Sequence, residues 1–118
     1  MAATVDKNNP PSFRDVEDFL KNLDFILPDG FMDFFKSSDG ADIYTDEDFI
    51  LLYKLFDMIE VNKGRDNSEY FIFGSNGSDT AYSIEKNTGF IFEMPFIGAQ
   101  KEETIFLFKD FIGFKNSW

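Results

Sequence analysis

The chain has 118 residues, with 17 phenylalanines, neither cysteine nor histidine, and a formal net charge of −11. This length suits one compact domain, and the lack of cysteine excludes disulfides, thiolate metal sites and cysteine nucleophiles. Residues 1–60 carry 14 acidic and 5 basic side chains, whereas residues 61–118 carry 8 and 6. Such a charge disfavours binding to nucleic-acid phosphates and anionic membranes and favours a basic protein partner.

The first eleven residues are polar and end in Pro10-Pro11. This composition is typical of a flexible N-terminal arm, and we place the domain at 12–118. The N-terminus has no hydrophobic run of the secretory kind. No apolar run in the chain approaches the roughly 18–20 residues of a membrane-spanning helix. We therefore expect a cytoplasmic location.

Two helices are predicted after the arm. The first, over 13–23, has its apolar residues at the spacing of one helical face: Phe13, Val16, Phe19, Leu20 and Leu23. Ser12 and Asp15 have the spacing of a capping box at its start. The second is predicted over 28–37, because Pro28 suits a first helical turn and three phenylalanines follow on one side, with Gly40 beyond its end.

Residues 41–62 allow two interpretations. Residues 41–44 fit a short strand, and Thr45 with Asp48 fits a helix cap. Phe49 begins a set of apolar residues with helical spacing, but residues 49–53 are also an unbroken apolar run that suits a buried strand. Periodicity does not decide between helix and strand in a run this short.

A β-meander is predicted in the second half of the chain. Its strands are 70–73, 80–85 and 90–94, which are short, rich in β-branched and aromatic residues, and separated by turn residues. A final helix is predicted to begin near 106–108 and to end at Gly113. The expected fold class is therefore α+β: one domain with a mainly antiparallel meander sheet, N-terminal helices and a C-terminal helix packed against it.

No pattern in the sequence indicates catalysis or a cofactor. With no histidine, no cysteine and no nucleophile elbow, the enzyme classes that need them are disfavoured. The glycines of FGSNGSD match neither common phosphate loop, and a strand follows where a phosphate site needs a helix. The acidic residues after Asp39 lack the spacing of a calcium-binding loop. We expect no metal and no cofactor.

The motifs of this chain resemble the SUKH superfamily, which contains the fungal Smi/Knr cell-wall regulators and many bacterial immunity proteins. The resemblance covers about residues 12–115. It rests on Leu27-Pro28, Ser38-Asp39-Gly40, Asn62, FIFGSNG at 71–77, Ala81-Tyr82, Gly89 and Pro95-Phe96-Ile97-Gly98. The positions taken as structural family positions are Pro28, Gly74, Asn76, Gly77, Tyr82, Gly89, Pro95 and Gly98.

The resemblance implies a strand within 49–53 followed by a helix near 54–62. It also implies a non-enzymatic immunity protein that binds and neutralises a toxin domain, such as a nuclease or a deaminase. The alternatives are a Smi/Knr-like scaffold or signalling adaptor and, as a third option, an enzyme or a small-ligand binder. A monomer is the favoured oligomeric state. The residues we expect to contact the partner are acidic, with one aromatic anchor: Asp39, Asp42, Tyr44, Asp46, Glu47 and Asp48.

Overall fold

Antiparallel strands form one sheet in which each strand pairs with the next along the chain. The computed structural model describes residues 3–65, 68–96 and 104–118, and within them the sheet has seven strands and four helices pack against it. The strands are β1 (Thr4–Lys7), β2 (Ala41–Tyr44), β3 (Phe49–Leu52), β4 (Tyr70–Ser75), β5 (Thr80–Glu85), β6 (Ile91–Pro95) and β7 (Ile105–Phe108). The helices are α1 (Phe13–Lys21), α2 (Phe31–Ser37), α3 (Leu55–Val61) and α4 (Phe111–Asn116). The predicted α+β class and the meander are confirmed.

The first strand lies where the sequence predicts a flexible arm. β1 pairs with β2 in antiparallel register from Thr4 opposite Tyr44 to Lys7 opposite Ala41. The backbone N–H of Asn8 then donates to the Ser38 hydroxyl at 3.0 Å. All four β1 side chains are exposed, so the sequence lacks the apolar alternation that would predict a strand here. Residues 4–8 therefore extend the sheet.

Both N-terminal helices are present, with shorter bounds than predicted. The Ser12 hydroxyl accepts a hydrogen bond from the Asp15 N–H at 3.0 Å, which is the expected cap of α1. α2 begins at Phe31 and not at Pro28. Gly30 has a φ of +83°, a left-handed conformation that a helical residue does not adopt, so the helix starts after it.

The ambiguous segment 41–62 forms a hairpin and then a helix. The Thr45 hydroxyl accepts from the Asp48 N–H at 2.8 Å, and the Thr45 N–H donates to the Asp48 carbonyl at 2.9 Å. This pair of residues therefore closes the β2–β3 turn and caps no helix. The strand and the helix implied by the resemblance are confirmed as β3 and α3.

The predicted C-terminal helix is wrong at its start. Residues 105–108 are β7 and pair with β6, and α4 begins only at Phe111. The Asp110 carboxylate accepts from the Gly113 N–H at 2.7 Å, so Gly113 lies inside the first turn and does not end the helix. The apolar residues of β7 and of α4 together have helical spacing by coincidence, although they belong to a strand and to a separate helix.

Phenylalanine rings form the core between the helices and one face of the sheet. All four helices and alternate residues of the strands contribute to this cluster. Its fully buried rings include Phe19, Phe31, Phe35, Phe73 and Phe111. Burying one such side chain stabilises the fold by about 1.5–3 kcal/mol. The opposite face carries a smaller buried cluster of Tyr70, Ile72, Ala81 and Met94. Among the described residues, no helix has the length and hydropathy that a membrane span needs.

Candidate partner-binding surface

The β2–β3 hairpin divides the predicted acidic stretch between the two ends of β2. Asp39 precedes the strand, whereas Asp46, Glu47 and Asp48 lie in the turn that follows it. A strand of four residues advances about 13 Å at 3.3 Å per residue. The six residues predicted as one contact patch therefore occupy different environments.

Asp39 is a structural residue. Its carboxylate accepts from the N–H of Leu55, the first residue of α3, at 2.8 Å. Its own N–H donates to the Asn9 carbonyl at 3.0 Å, and its carbonyl accepts from the Asn8 side-chain amide at 2.7 Å. A carboxylate at a helix start satisfies a free backbone donor and is stabilised by the helix dipole. The geometry gives Asp39 a capping role and not the predicted partner contact.

The turn itself is strongly negative and open to solvent. Asp46, Glu47 and Asp48 are all exposed. In the part of the chain that the structure describes, the salt bridges join Lys63 to Glu60 and Lys86 to Asp24. Neither of these salt bridges involves a turn carboxylate. Three adjacent acids create a local negative potential that attracts a basic surface.

An aromatic pair lies beside the turn. Tyr44 and Phe49 are directly opposite each other on β2 and β3, and their ring centroids are 5.1 Å apart. Tyr44 remains 46% exposed. A half-exposed tyrosine held against a second ring loses little side-chain freedom on binding. The role of Tyr44 as an aromatic anchor of the interface stays a prediction.

Sheet pairing brings two further groups to the acidic turn. Tyr82 and Glu93 are opposite each other on β5 and β6. Burial raises the pKa of the Tyr82 hydroxyl, and the nearby carboxylates of Asp48 and Glu93 raise it further. Both acids thus act on the same hydroxyl. Glu93 is not among the residues predicted from the sequence, because it is 45 positions away from Asp48 and no local sequence pattern links the two.

Asp42 lies in a groove between β3 and α3, on the sheet face that also carries Tyr44. The groove, called the β3–α3 groove below, has a volume of about 630 Å³. Its lining residues are Asn8, Asp42, Leu51, Leu52, Tyr53, Lys54, Asp57, Glu60 and Val61. Of these, only Asp42 is among the residues predicted for partner contact.

The loop that carries the sequence signature is a turn that is held by its own hydrogen bonds. The Asn76 side-chain oxygen accepts from the N–H groups of Ser78 at 2.9 Å and Thr80 at 3.1 Å. Gly77 has a φ of +81°. A Cβ on Gly74 would lie 2.7 Å from the Leu51 carbonyl oxygen, so glycine permits the close approach of β3. The backbone N–H groups of Asn76, Gly77, Ser78 and Thr80 all donate to acceptors within the turn.

Four further signature residues, Pro28, Gly89, Tyr82 and Pro95, take part in packing or strand pairing. Pro28 packs near Gly89, where a Cβ would lie 3.5 Å from the proline ring. Tyr82 packs against Phe114 with ring centroids 5.6 Å apart. Pro95 ends β6 opposite Thr80, and Gly98 lies outside the described residues.

Asn62 has a specific role in the sheet. Its amide donates to the Ile72 carbonyl at 2.8 Å and accepts from the Ile72 N–H at 2.9 Å. Because β3 pairs with β4 only at Leu51 and Leu52, this side chain takes the place of a strand partner at Ile72.

Across residues 3–65, 68–96 and 104–118, no three acidic residues are grouped closely enough to hold a metal ion. Comparison with protein-family models gives no match, and comparison with curated proteins gives none either.

Proposed function

We propose that this chain is a cytoplasmic, non-enzymatic immunity protein of the SUKH type that binds and neutralises a basic toxin domain. The observation that carries the proposal is the exposed acidic turn of the β2–β3 hairpin, flanked by the Tyr44–Phe49 pair. The order of the signature residues supports the family, and the surface supports the chemistry of the partner.

A toxin that acts on nucleic acid must present a basic surface to its substrate. A nuclease or deaminase binds phosphates, so its active site is lined by lysine and arginine. An inhibitor with a negative, rigidly supported turn is attracted to such a site and is oriented by it. The aromatic pair beside the turn supplies the apolar contact area that charge alone does not provide.

Co-expression with the toxin domain encoded by the neighbouring gene tests this proposal. The unaltered protein is expected to protect the cells and to elute as a complex with the toxin. A triple variant, Asp46→Asn with Glu47→Gln and Asp48→Asn, is expected to associate about tenfold more slowly at low salt, since electrostatic steering accelerates association by this order or more.

A matched control removes three exposed acids elsewhere: Glu17→Gln, Asp29→Asn and Asp33→Asn. It makes the same change in net charge and is expected to retain most of the association rate. If cells die at full expression of the unaltered protein, or if no complex elutes, the inhibitor proposal is wrong. Recovery of several unrelated partners would favour the adaptor function instead.

A further inference from the structure

The β3–α3 groove exists because the chain leaves the sheet early. β3 ends at Leu52, and Tyr53 and Lys54 lead directly into α3. The amide of Asn62, and no additional strand, satisfies the backbone of Ile72. Leu51, Tyr53 and Val61 consequently remain half-buried, and they form an apolar floor.

Acidic side chains surround this floor. Asp42 comes from β2, and Asp57 and Glu60 come from α3; Glu60 is paired with Lys63, and Lys54 is the basic residue among the lining residues that the structure describes. Asp57 and Val61 are four residues apart on the helix, so they point to the same side. The groove thus combines an apolar floor with a negative rim.

The pairing of β1 with β2 adds to the negative charge. Asp6 lies directly opposite Asp42, and like charges in directly opposed positions destabilise a strand pair. A cation placed beside these two carboxylates would relieve that repulsion. This unfavourable pair is a second observation, independent of the groove, that favours a cationic occupant.

The groove is continuous with the acidic hairpin turn. Asp42 is opposite Leu51, and Tyr44 is opposite Phe49 two residues further along the same face. A partner that contacts the turn therefore meets the groove next along the hairpin. Lysine and arginine suit such a place, because their aliphatic stems pack on apolar surface while the charge stays at the rim.

We propose that the β3–α3 groove is the second part of the partner-binding surface and receives a lysine or arginine side chain of the basic toxin domain. The inference rests on the proposed function, because the occupant is a segment of that toxin. It adds Asp57, Glu60 and Val61 to the contact surface beside Asp42, and it gives that surface a second apolar area next to the Tyr44–Phe49 pair.

Binding of the co-expressed toxin domain to purified groove variants tests the inference. Val61→Lys places a cation in the floor and is expected to weaken binding by about tenfold or more, because it repels the incoming cation. Ile26→Lys makes the same substitution at a residue that is 89% exposed and outside the groove, and it is expected to bind as the unaltered protein does. A double variant on the exposed rim, Asp57→Asn with Glu60→Gln, is expected to weaken binding about threefold to tenfold, in the range of two rim charges, and to show a smaller salt dependence.

The outcomes separate the two proposals. If the unaltered protein fails to bind the toxin domain, the proposed function is wrong and the groove has no assigned occupant. If the unaltered protein binds and both groove variants bind equally well, only the groove inference is overturned. Equal weakening by Ile26→Lys also overturns it.

Two other occupants have distinct signatures. If a second copy of the chain occupies the groove, the molecular mass measured by sedimentation rises with protein concentration. In Val61→Lys the mass then falls to that of the monomer. A small molecule retained in the groove would appear in native mass spectrometry of the unaltered protein and disappear in Val61→Lys. Either result overturns the inference, whereas a monomer without a bound molecule, combined with the expected loss of toxin binding, supports it.

Discussion

The β2–β3 and β4–β5 hairpins are neighbours in one sheet and differ in almost every respect. All six residues of β4 are buried, and its turn is held by the Asn76 side chain and a left-handed Gly77. The β2–β3 turn instead exposes three consecutive acids and leaves Tyr44 half-exposed. The hairpin with the recognisable sequence signature therefore maintains the fold, and the less regular hairpin is the one available for binding.

The largest expected effect lies in the structural hairpin. Phe73 is fully buried and its ring lies 5.6 Å from that of Phe114 and 5.9 Å from that of Phe31. We expect Phe73→Ala to lower the free energy of unfolding by about 3–5 kcal/mol, because it removes contacts and leaves a cavity. Denaturant unfolding measures the loss. Phe56→Ala is the control, since Phe56 is 68% exposed; a similar loss in both variants would contradict the assigned core.

A smaller loss is expected where Asn62 supports β4. Asn62→Ala leaves both the N–H and the carbonyl of Ile72 without the partner that they have in the native fold. We expect a loss of about 1–3 kcal/mol in the free energy of unfolding, which is the cost of unpaired buried polar groups. Asn87→Ala, at an exposed turn residue, is the matched control. Stability unchanged in Asn62→Ala would show that the β4 backbone needs no such partner.

An electrostatic interaction links the two hairpins, because Asp48 of the β2–β3 turn acts on the Tyr82 hydroxyl of β5. Its pKa is raised above 10.0 first by burial and then by Asp48 and Glu93. A pKa raised in the folded state contributes stability that is present below the unfolded value of about 10 and is lost as the pH rises through the folded value. We expect alkaline unfolding to begin at higher pH in Tyr82→Phe, where this ionisation is absent.

Asp48→Asn is the companion variant for the same ionisation. Spectroscopic titration of tyrosinate is expected to show a lower pKa for Tyr82 in this variant, still above 10 because burial remains the first cause. A Tyr82 that titrates identically in the variant and the unaltered protein would show that Asp48 does not reach the hydroxyl.

The smallest effect on stability is expected in the acidic turn. Asp46→Asn, Glu47→Gln and Asp48→Asn together are expected to change the free energy of unfolding by no more than about 0.5 kcal/mol, as is usual for exposed substitutions. Thermal unfolding measures this. A loss comparable to that of Phe73→Ala would mean that the turn is structural and would remove the contrast between the hairpins.

Much of the fold follows from local patterns, whereas the site depends on pairing between distant residues. The helical spacing in α1 and the strand-forming runs at 70–73 and 80–85 are short-range signals, and the helix and both strands are found there, although Phe13 and Leu20 of the predicted apolar face are exposed. β1 has no such signal because its side chains are exposed. The separation of β7 from α4 is decided by the Asp110 cap, which the helical spacing of the surrounding apolar residues obscures.

The positions of the acidic residues also depend on pairing between distant residues. Their contiguity in sequence predicted one patch, but the hairpin places Asp39 under α3 as a cap and Asp46 at the other end of β2. Asp57 joins Asp42 only because α3 lies beside the hairpin. No local sequence pattern encodes that neighbourhood.

Amide hydrogen exchange of the protein, free and bound to the toxin domain, tests the central claim most directly. The acidic hairpin at 44–49 and the groove segment 53–61 are expected to gain protection on binding, whereas α2 and α4 are expected to exchange as in the free protein. Protection confined to α2 and α4, with none at 44–49, would contradict the assignment of the β2–β3 hairpin as the binding element.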